Sequence, residues 1–414
     1  MNSRSQHRAT AFTALAQNRI TQLAASLPTH RAFHWMHLHQ SQLRSWQLEL
    51  LAIPAPTFHE SNRAIWFLER FNALGLTNVH LDEAGNALGE LPAANSEVSA
   101  PFLLVSAHLD TVFPAGTDTV PREDGERILG PGSCDNAAGL TALLGLISAM
   151  RFANIQPPKP ILFAANVCEE GEGDLRGMRH IFQSGAYRER IAASIALEGS
   201  GTGVAVTNAL GSVRFRVTVS GPGGHSWADA GMPNPITLLS RAIVEIAEMP
   251  ILRGDRPGSG TSTFSPGVIR GGTSVNSIPE SASALLDFRS TEQSVLESIA
   301  QQLPAILEKL VQPPATFAID IIGNRPAAAL SASSPLLDTL RAVDRHLGIG
   351  TELRLGSTDA NIPLALGIPS VALASGGTGG GIHTLAEWYD PTGREVALRR
   401  ILLVILDLTQ TLLP

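Results

Sequence analysis

The sequence predicts an α/β domain interrupted by a smaller α+β module, and three observations carry that prediction. Short apolar runs alternate with helical stretches up to about residue 210. Between about 211 and 324 the elements run strand, helix, strand, strand, helix, strand, the order of a ferredoxin-like unit. After that the first pattern resumes, and strand–helix alternation marks an α/β sheet. At 414 residues the chain is also long enough for two cores.

In chain order, residues 1–45 read as an N-terminal helical extension, with stretches such as AFTALAQNRITQLAASL. Residues 1 to 48 carry five Arg and no Asp or Glu, a faint likeness to a transit peptide. The helical patterning and the lack of an apolar signal block favour a soluble cytoplasmic protein instead. His34, His37 and His39 in FHWMHLHQ lack a carboxylate partner nearby in sequence and read as decoration of a helix. SNRAIWFLERFNALGL has helical spacing, with Ser61 as its expected cap.

Residues 46–210 form the first part of the larger domain. PFLLVSAHL, PILFAANV and ASIALEG read as buried strands, and DNAAGLTALLGLISAMRFA as the crossover helix. All three strands end in polar residues, at the edge where open α/β sheets keep their sites. The insert, 211–324, begins with SVRFRVTVSG, whose strict alternation is that of a half-solvated strand. It continues with the helix NPITLLSRAIVEIAEM and the Gly/Pro/Ser-rich loop LRGDRPGSGTSTFSPG. The strands GVIRGGT and ASALLDFRS, a helix from about Glu292 to Leu310 and the strand TFAIDIIG complete it. Residues 325–414 return to the first domain with the strand IPSVALAS and a closing helix.

Bulk properties exclude several classes. Hydrophobic content of 44% with 16% charged residues is that of a folded globular chain. A net charge of -7 argues against a nucleic-acid surface, and cations held by acidic residues would bring it nearer neutral. Two cysteines, Cys134 and Cys168, are too few for a disulfide scaffold or a Cys-rich zinc site. No run reaches the 18 or so apolar residues of a membrane span. The C-terminal ILLVILDLTQTLLP is broken by Asp407 and reads as a core helix.

Five places put ligand-type side chains at strand ends or in Gly-rich loops. They are His108 and Asp110 in AHLDT, Asp135 in GPGSCDNAAG, Glu169 and Glu170 in NVCEEGEG, Glu198 in ALEGSG and His383 in GGGIHTLAEW. Each alone has a plain explanation: a core histidine, an N-cap at Asp135, a solvated acidic turn, a surface imidazole. Together they do not. So many carboxylates gathered at one sheet edge would repel and lose solvation, and cations resolve both costs. Two histidines and three carboxylates suit a pair of zinc-like ions sharing one Asp. One further carboxylate must stay free to move protons, and neighbours on an extended chain, such as Glu169 and Glu170, point different ways.

At these motifs the chain resembles the dinuclear zinc exopeptidase and deacylase family that includes peptidase T, glutamate carboxypeptidase, acetylornithine and succinyl-diaminopimelate deacylases and aminoacylase. HLDT, DNAAG, EEGEG, LEG, SGPGGHS and IHTLAEW occur in order, and the resemblance covers nearly everything after residue 45. It implies a catalytic domain with a mixed central sheet and an inserted lid and dimerisation module. It also implies two Zn ions, with Co or Mn as substitutes. His108 and Glu198 would bind one, Glu170 and His383 the other, with Asp135 between them. Asp110 would hydrogen-bond His108 and fix its tautomer. Glu169 would be the general base, taking a proton from a metal-bridged water and passing it to the leaving amine. The peptide bond Asp135–Asn136 would be cis. His225 in SGPGGHS would reach a partner subunit's site and steady the tetrahedral oxyanion. Asn276 and Arg289 would bind the substrate carboxylate, although Arg289 can instead pair with Asp287 or Glu280.

The substrate implied is a short peptide with a free carboxyl terminus. The alternative is an N-acyl amino acid, acetyl or succinyl, because Glu rather than Asp at position 198 is the deacylase-like choice. A non-catalytic binding protein that kept only the fold conflicts with the completeness of the set. Nucleotide loops at SGTG, SGPGG and SGGTGGG fit neither G-x-G-x-x-G nor the P-loop spacing.

Overall fold

A computed structural model of the protein describes residues 3–94, 100–252 and 262–411. It contains two compact units, one of residues 1–207 with 329–414 and one of Asn208–Ala328.

The larger unit is built on a nine-stranded mixed sheet. Across it run Thr77–Leu81, Ala87–Leu91, Ile161–Asn166, Phe102–His108, Ile191–Leu197, Ser370–Leu373, Val204–Ala209 and Ala328–Ala329, with Glu352–Gly356 also pairing Val204–Ala209. Phe102–His108 lies parallel to both Ile161–Asn166 and Ile191–Leu197, and Ser370–Leu373 is parallel to the latter. These are the predicted apolar runs. Phe102–His108, Ile161–Asn166 and Ser370–Leu373 are buried throughout, as strands covered on both faces must be. Because neighbouring strands run the same way, their carboxyl ends emerge at one edge.

The helix Ala137–Phe152 is buried over fourteen successive residues, Ala137 to Met150, and sits in the main core. The expected N-terminal extension is three helices, Ser3–Ala25, Leu27–Leu38 and Gln40–Leu51. It is tied to the C-terminal helix Arg394–Thr411, where Arg19 forks onto the buried Asp407 at 2.8 and 3.1 Å. His34 and His37 lie exposed on the second helix, and His39 stacks on Trp35. A carboxylate partner for His37 comes from far away in sequence: Glu395, at 2.9 Å. Two expected caps move by one residue. Ser61 is the first helical residue after Glu60, and Asn136, not Asp135, caps the crossover helix by accepting the Gly139 N–H.

The smaller unit is a four-stranded antiparallel sheet in the order Ser262–Gly271, Ser281–Ser290, Gly211–Ser220, Thr316–Arg325, with helices Pro235–Ala247 and Gln293–Leu310. That is the ferredoxin-like arrangement. Val213, Phe215, Val217 and Val219 alternate into its core against Leu238, Leu239, Ile299 and Leu303. Most of the expected Gly/Pro/Ser-rich loop, 253–261, lies outside the described residues.

Candidate metal centre

Four of the five expected ligands meet through short contacts around Asp135. The Asp135 carboxylate lies between two imidazoles, with Oδ1 3.0 Å from His108 Nε2 and Oδ2 3.2 Å from His383 Nε2. His383 Nε2 is also 3.0 Å from Glu170 Oε1, and His108 Nε2 is 3.4 Å from Glu198 Oε1, which brings in the fifth. His108, Asp135 and Glu170 each offer one ligand atom, all within 4.8 Å of one another.

Local structure explains this convergence. His108 is the last residue of its strand, and Glu169–Glu170 and Glu198 follow the ends of the two flanking parallel strands. Asp135 precedes the crossover helix, and its peptide bond to Asn136 is cis. The Asn136 side chain donates to the Leu197 carbonyl at 2.9 Å and accepts the Gly199 N–H at 3.3 Å, which grips the chain on both sides of Glu198. His383 has φ +65° and Cys168, just before the glutamate pair, φ +57°. Non-glycine residues there carry about 1–3 kcal/mol of strain, and such residues gather at functional sites.

Asp110 differs from expectation in the group it uses. His108 Nδ1 donates to the main-chain carbonyl of Asp110 at 3.0 Å, while the Asp110 carboxylate is 3.6 Å away. The bond makes Nδ1 the donor and turns Nε2 toward Asp135 and Glu198, the nitrogen that would bind a cation once its proton is displaced. The carboxylate instead accepts the main-chain N–H groups of Glu169 and Glu170, both at 2.8 Å, and the Thr57 hydroxyl at 3.0 Å. Glu169 is buried beside Glu170.

The electrostatics are those of charges held together out of water. Burial disfavours a charged His108, but Glu198 and hydrogen bonds to Asp110 and Asp135 outweigh it and raise its pKa well above the usual value. Hydrogen bonds to Asp135 and Glu170 push the half-exposed His383 up to about 10. Burial pushes Glu198 up to about 7, helped by Asp135 and Asp359 and opposed by His108. Burial would also raise Asp135, yet its two histidines hold it far below the usual carboxylate range. Protons on the imidazoles thus occupy the places that cations would take, and the donor set of nitrogen and carboxylate oxygen fits divalent ions.

Other residues at the site escaped sequence reasoning because only hydrogen bonding reveals them. Buried Glu387, inside the quoted IHTLAEW, accepts three main-chain N–H groups from the loop that carries Asp135. Buried Glu60 accepts the Cys168 N–H at 3.0 Å and its thiol at 3.2 Å. Asp359 accepts from Asn166 at 2.8 Å and bears on Glu198. Both cysteines are buried and unpaired. The glycines of SGGTGGG serve packing: a side chain at Gly377 would strike the Asp390 carbonyl, and one at Gly379 the Cys134 sulfur.

In the smaller unit, Gly224–His225 pairs with Ser277–Ile278, and Ser226 N–H donates to the Asn276 carbonyl at 3.1 Å. His225 and Asn276 are therefore neighbours. Nδ1 of His225 accepts the N–H groups of Trp227 and Ala228 at 3.2 and 3.3 Å. The neutral ring must carry its proton on the exposed Nε2. Arg289 stands apart. It sits eight residues along the strand that Ser281 begins, roughly 25 Å from that end at ~3.3 Å per residue. Arg289 Nε donates to Asp287 at 2.7 Å, the ion pair named as the alternative to binding a substrate carboxylate.

Comparison with known proteins extends these observations. The description "Peptidase family M20/M25/M40" matches residues 104–407. A "Probable carboxypeptidase" of Aspergillus clavatus is 26% identical over 293 residues, 67% of this chain. The match spans 64% of that relative's length. Among solved structures, a tripeptidase of Staphylococcus aureus superposes with a TM-score of 0.71 at 21% identity, covering 90% of this chain and 99% of that one. The dinuclear metal-binding M20 peptidase YXEP of Bacillus subtilis gives 0.66 at 14% identity, covering 90% and 98%.

Proposed function

The chain belongs to peptidase family M20/M25/M40, and on that premise we propose that it hydrolyses the amide bond of short peptides at a dinuclear zinc centre. The observation that carries the reading is Asp135, with one carboxylate oxygen toward each of two histidines. His108 and Glu198 would hold one ion and His383 and Glu170 the other, with Asp135 common to both. Bound there, the pair would polarise the scissile carbonyl and acidify water.

The remaining chemistry belongs to the chain. Glu169 takes a proton from the attacking water on its carboxylate and delivers it to the nitrogen of the leaving amine, so that water and amide become acid and amine. Asp110 fixes Glu169 and Glu170 through their main-chain N–H groups. Nε2–H of His225 donates to the oxyanion in the site of a second copy of the chain, with Asn276 beside it. A homodimer through the smaller unit is supported by the exposure of Trp227, at 85%, and Val275 next to these residues. Two unpaired thiols suit a reducing compartment such as the cytoplasm. Among the described residues no helix is long and apolar enough to cross a membrane.

The carboxypeptidase-named relative supports a free carboxyl terminus on the substrate. Glu at position 198 favours a second reading, deacylation of N-acyl amino acids at the same centre. A screen of the zinc- or cobalt-loaded enzyme against di- and tripeptides and against N-acetyl and N-succinyl amino acids separates the two. Turnover of peptides is expected, and turnover of acylated amino acids alone would replace the first reading with the second.

A further inference from the structure

We infer that Glu387 is a positioning residue that sets Asp135 for both cations; the inference rests on Asp135 being their common ligand. Glu387 is 1% exposed, and its carboxylate accepts main-chain N–H groups with both oxygens. Its Oε1 accepts the main-chain N–H groups of Cys134 and Asp135, each at 2.8 Å, and Oε2 accepts that of Gly132 at 2.9 Å. Its own carbonyl accepts the Gly130 N–H at 2.9 Å. One residue thus gathers four donors from the six-residue stretch that ends at Asp135.

The frame around it is fixed on both sides. The strand Trp388–Asp390 begins at the next residue and pairs with Arg127–Leu129, which leads into that stretch, and with Thr378–Gly380, which leads toward His383. Glu387 is four residues after His383. It therefore joins the backbone segment of the shared ligand to that of one of its two histidine neighbours. A buried carboxylate suits the task because each of its oxygens accepts more than one bond. An amide offers a single acceptor oxygen and turns its NH₂ toward a donor. A shift of the loop by a fraction of an ångström would misplace Asp135 against His108 and His383 together, so both ion positions should weaken at once.

The test is chelator-competition titration of the full chain with Zn²⁺ and Co²⁺ alone, in wild type, Glu387→Ala and Glu387→Gln, with the cobalt absorption spectrum recorded alongside. Glu387→Ala should weaken both equivalents by about 10–100-fold and alter the cobalt spectrum, while circular dichroism and size are kept. Glu387→Gln keeps the acceptor facing Cys134 and Asp135 and should fall between. Wild-type affinity and spectrum in Glu387→Ala overturn the inference. Should that variant fail to fold, wild-type affinity in Glu387→Gln overturns it equally. A wild-type chain that takes up no cation contradicts the metal-centre reading itself, whereas uptake unaffected by Glu387 contradicts this inference alone.

Discussion

The Asp110 carboxylate holds Glu169 by its backbone: the Glu169 N–H donates to Asp110 Oδ1 at 2.8 Å. Oδ2 receives the next N–H, that of Glu170, at the same distance. Burial would raise the Asp110 carboxyl, but the adjacent His108 and then these two N–H bonds hold it below the usual range. One side chain therefore orients the proposed base and a proposed ligand, while its carbonyl orients a second ligand. Asp110→Asn must aim an NH₂ group at one of those N–H donors. Turnover and metal affinity should each drop by about 10–100-fold, the usual cost of losing a partner of a ligand. Steady-state kinetics and metal titration of the variant check this.

Glu169→Gln removes the proton carrier and leaves the proposed ligands in place. kcat should fall by about 10²–10⁴-fold with metal content and KM near wild type. Elemental analysis beside kinetics decides it, and full activity would exclude Glu169 as the base.

Metal loading should release protons. In the metal-free site, Asp135 and Glu170 raise His383 to about 10, and His108 is raised too. At pH 7 these rings hold protons that a cation must displace, so affinity climbs as pH rises and falls as it drops. Titration in weak buffer with a pH indicator reads the protons directly. Loading at pH 7 with no proton release would contradict the assigned contacts.

If His225 serves the partner's site, two inactive variants should rescue each other. A mixed dimer of Glu169→Gln and His225→Ala has one site with both residues intact. Random exchange should restore about a quarter of wild-type activity. Mixtures no more active than their parts would place His225 outside the reaction.

Much of this was legible in the sequence because buried parallel strands are continuous apolar runs, and the residue after each run must surface at the site edge. That logic located His108, Glu169, Glu170 and Glu198 without coordinates. The alternation in SVRFRVTVSG likewise announced the smaller unit. The anchors were hidden for a physical reason. Glu387 and Glu60, like Asp110 in its bonds to Glu169 and Glu170, act through main-chain N–H groups, which every residue carries, so a side-chain pattern could single out Asp110 beside His108 but not these partners. Three-residue strands such as Arg127–Leu129 are too short for periodicity to show.

Asp135, with one carboxylate oxygen toward each of two histidines, is the residue that two cations would share. The most direct test of that sharing is the metal stoichiometry of the purified chain after zinc or cobalt loading, read with magnetic susceptibility of the cobalt form. Two equivalents per chain with exchange coupling between them are expected, both lost in Asp135→Ala. A single equivalent, or two uncoupled ions that survive in that variant, would contradict it.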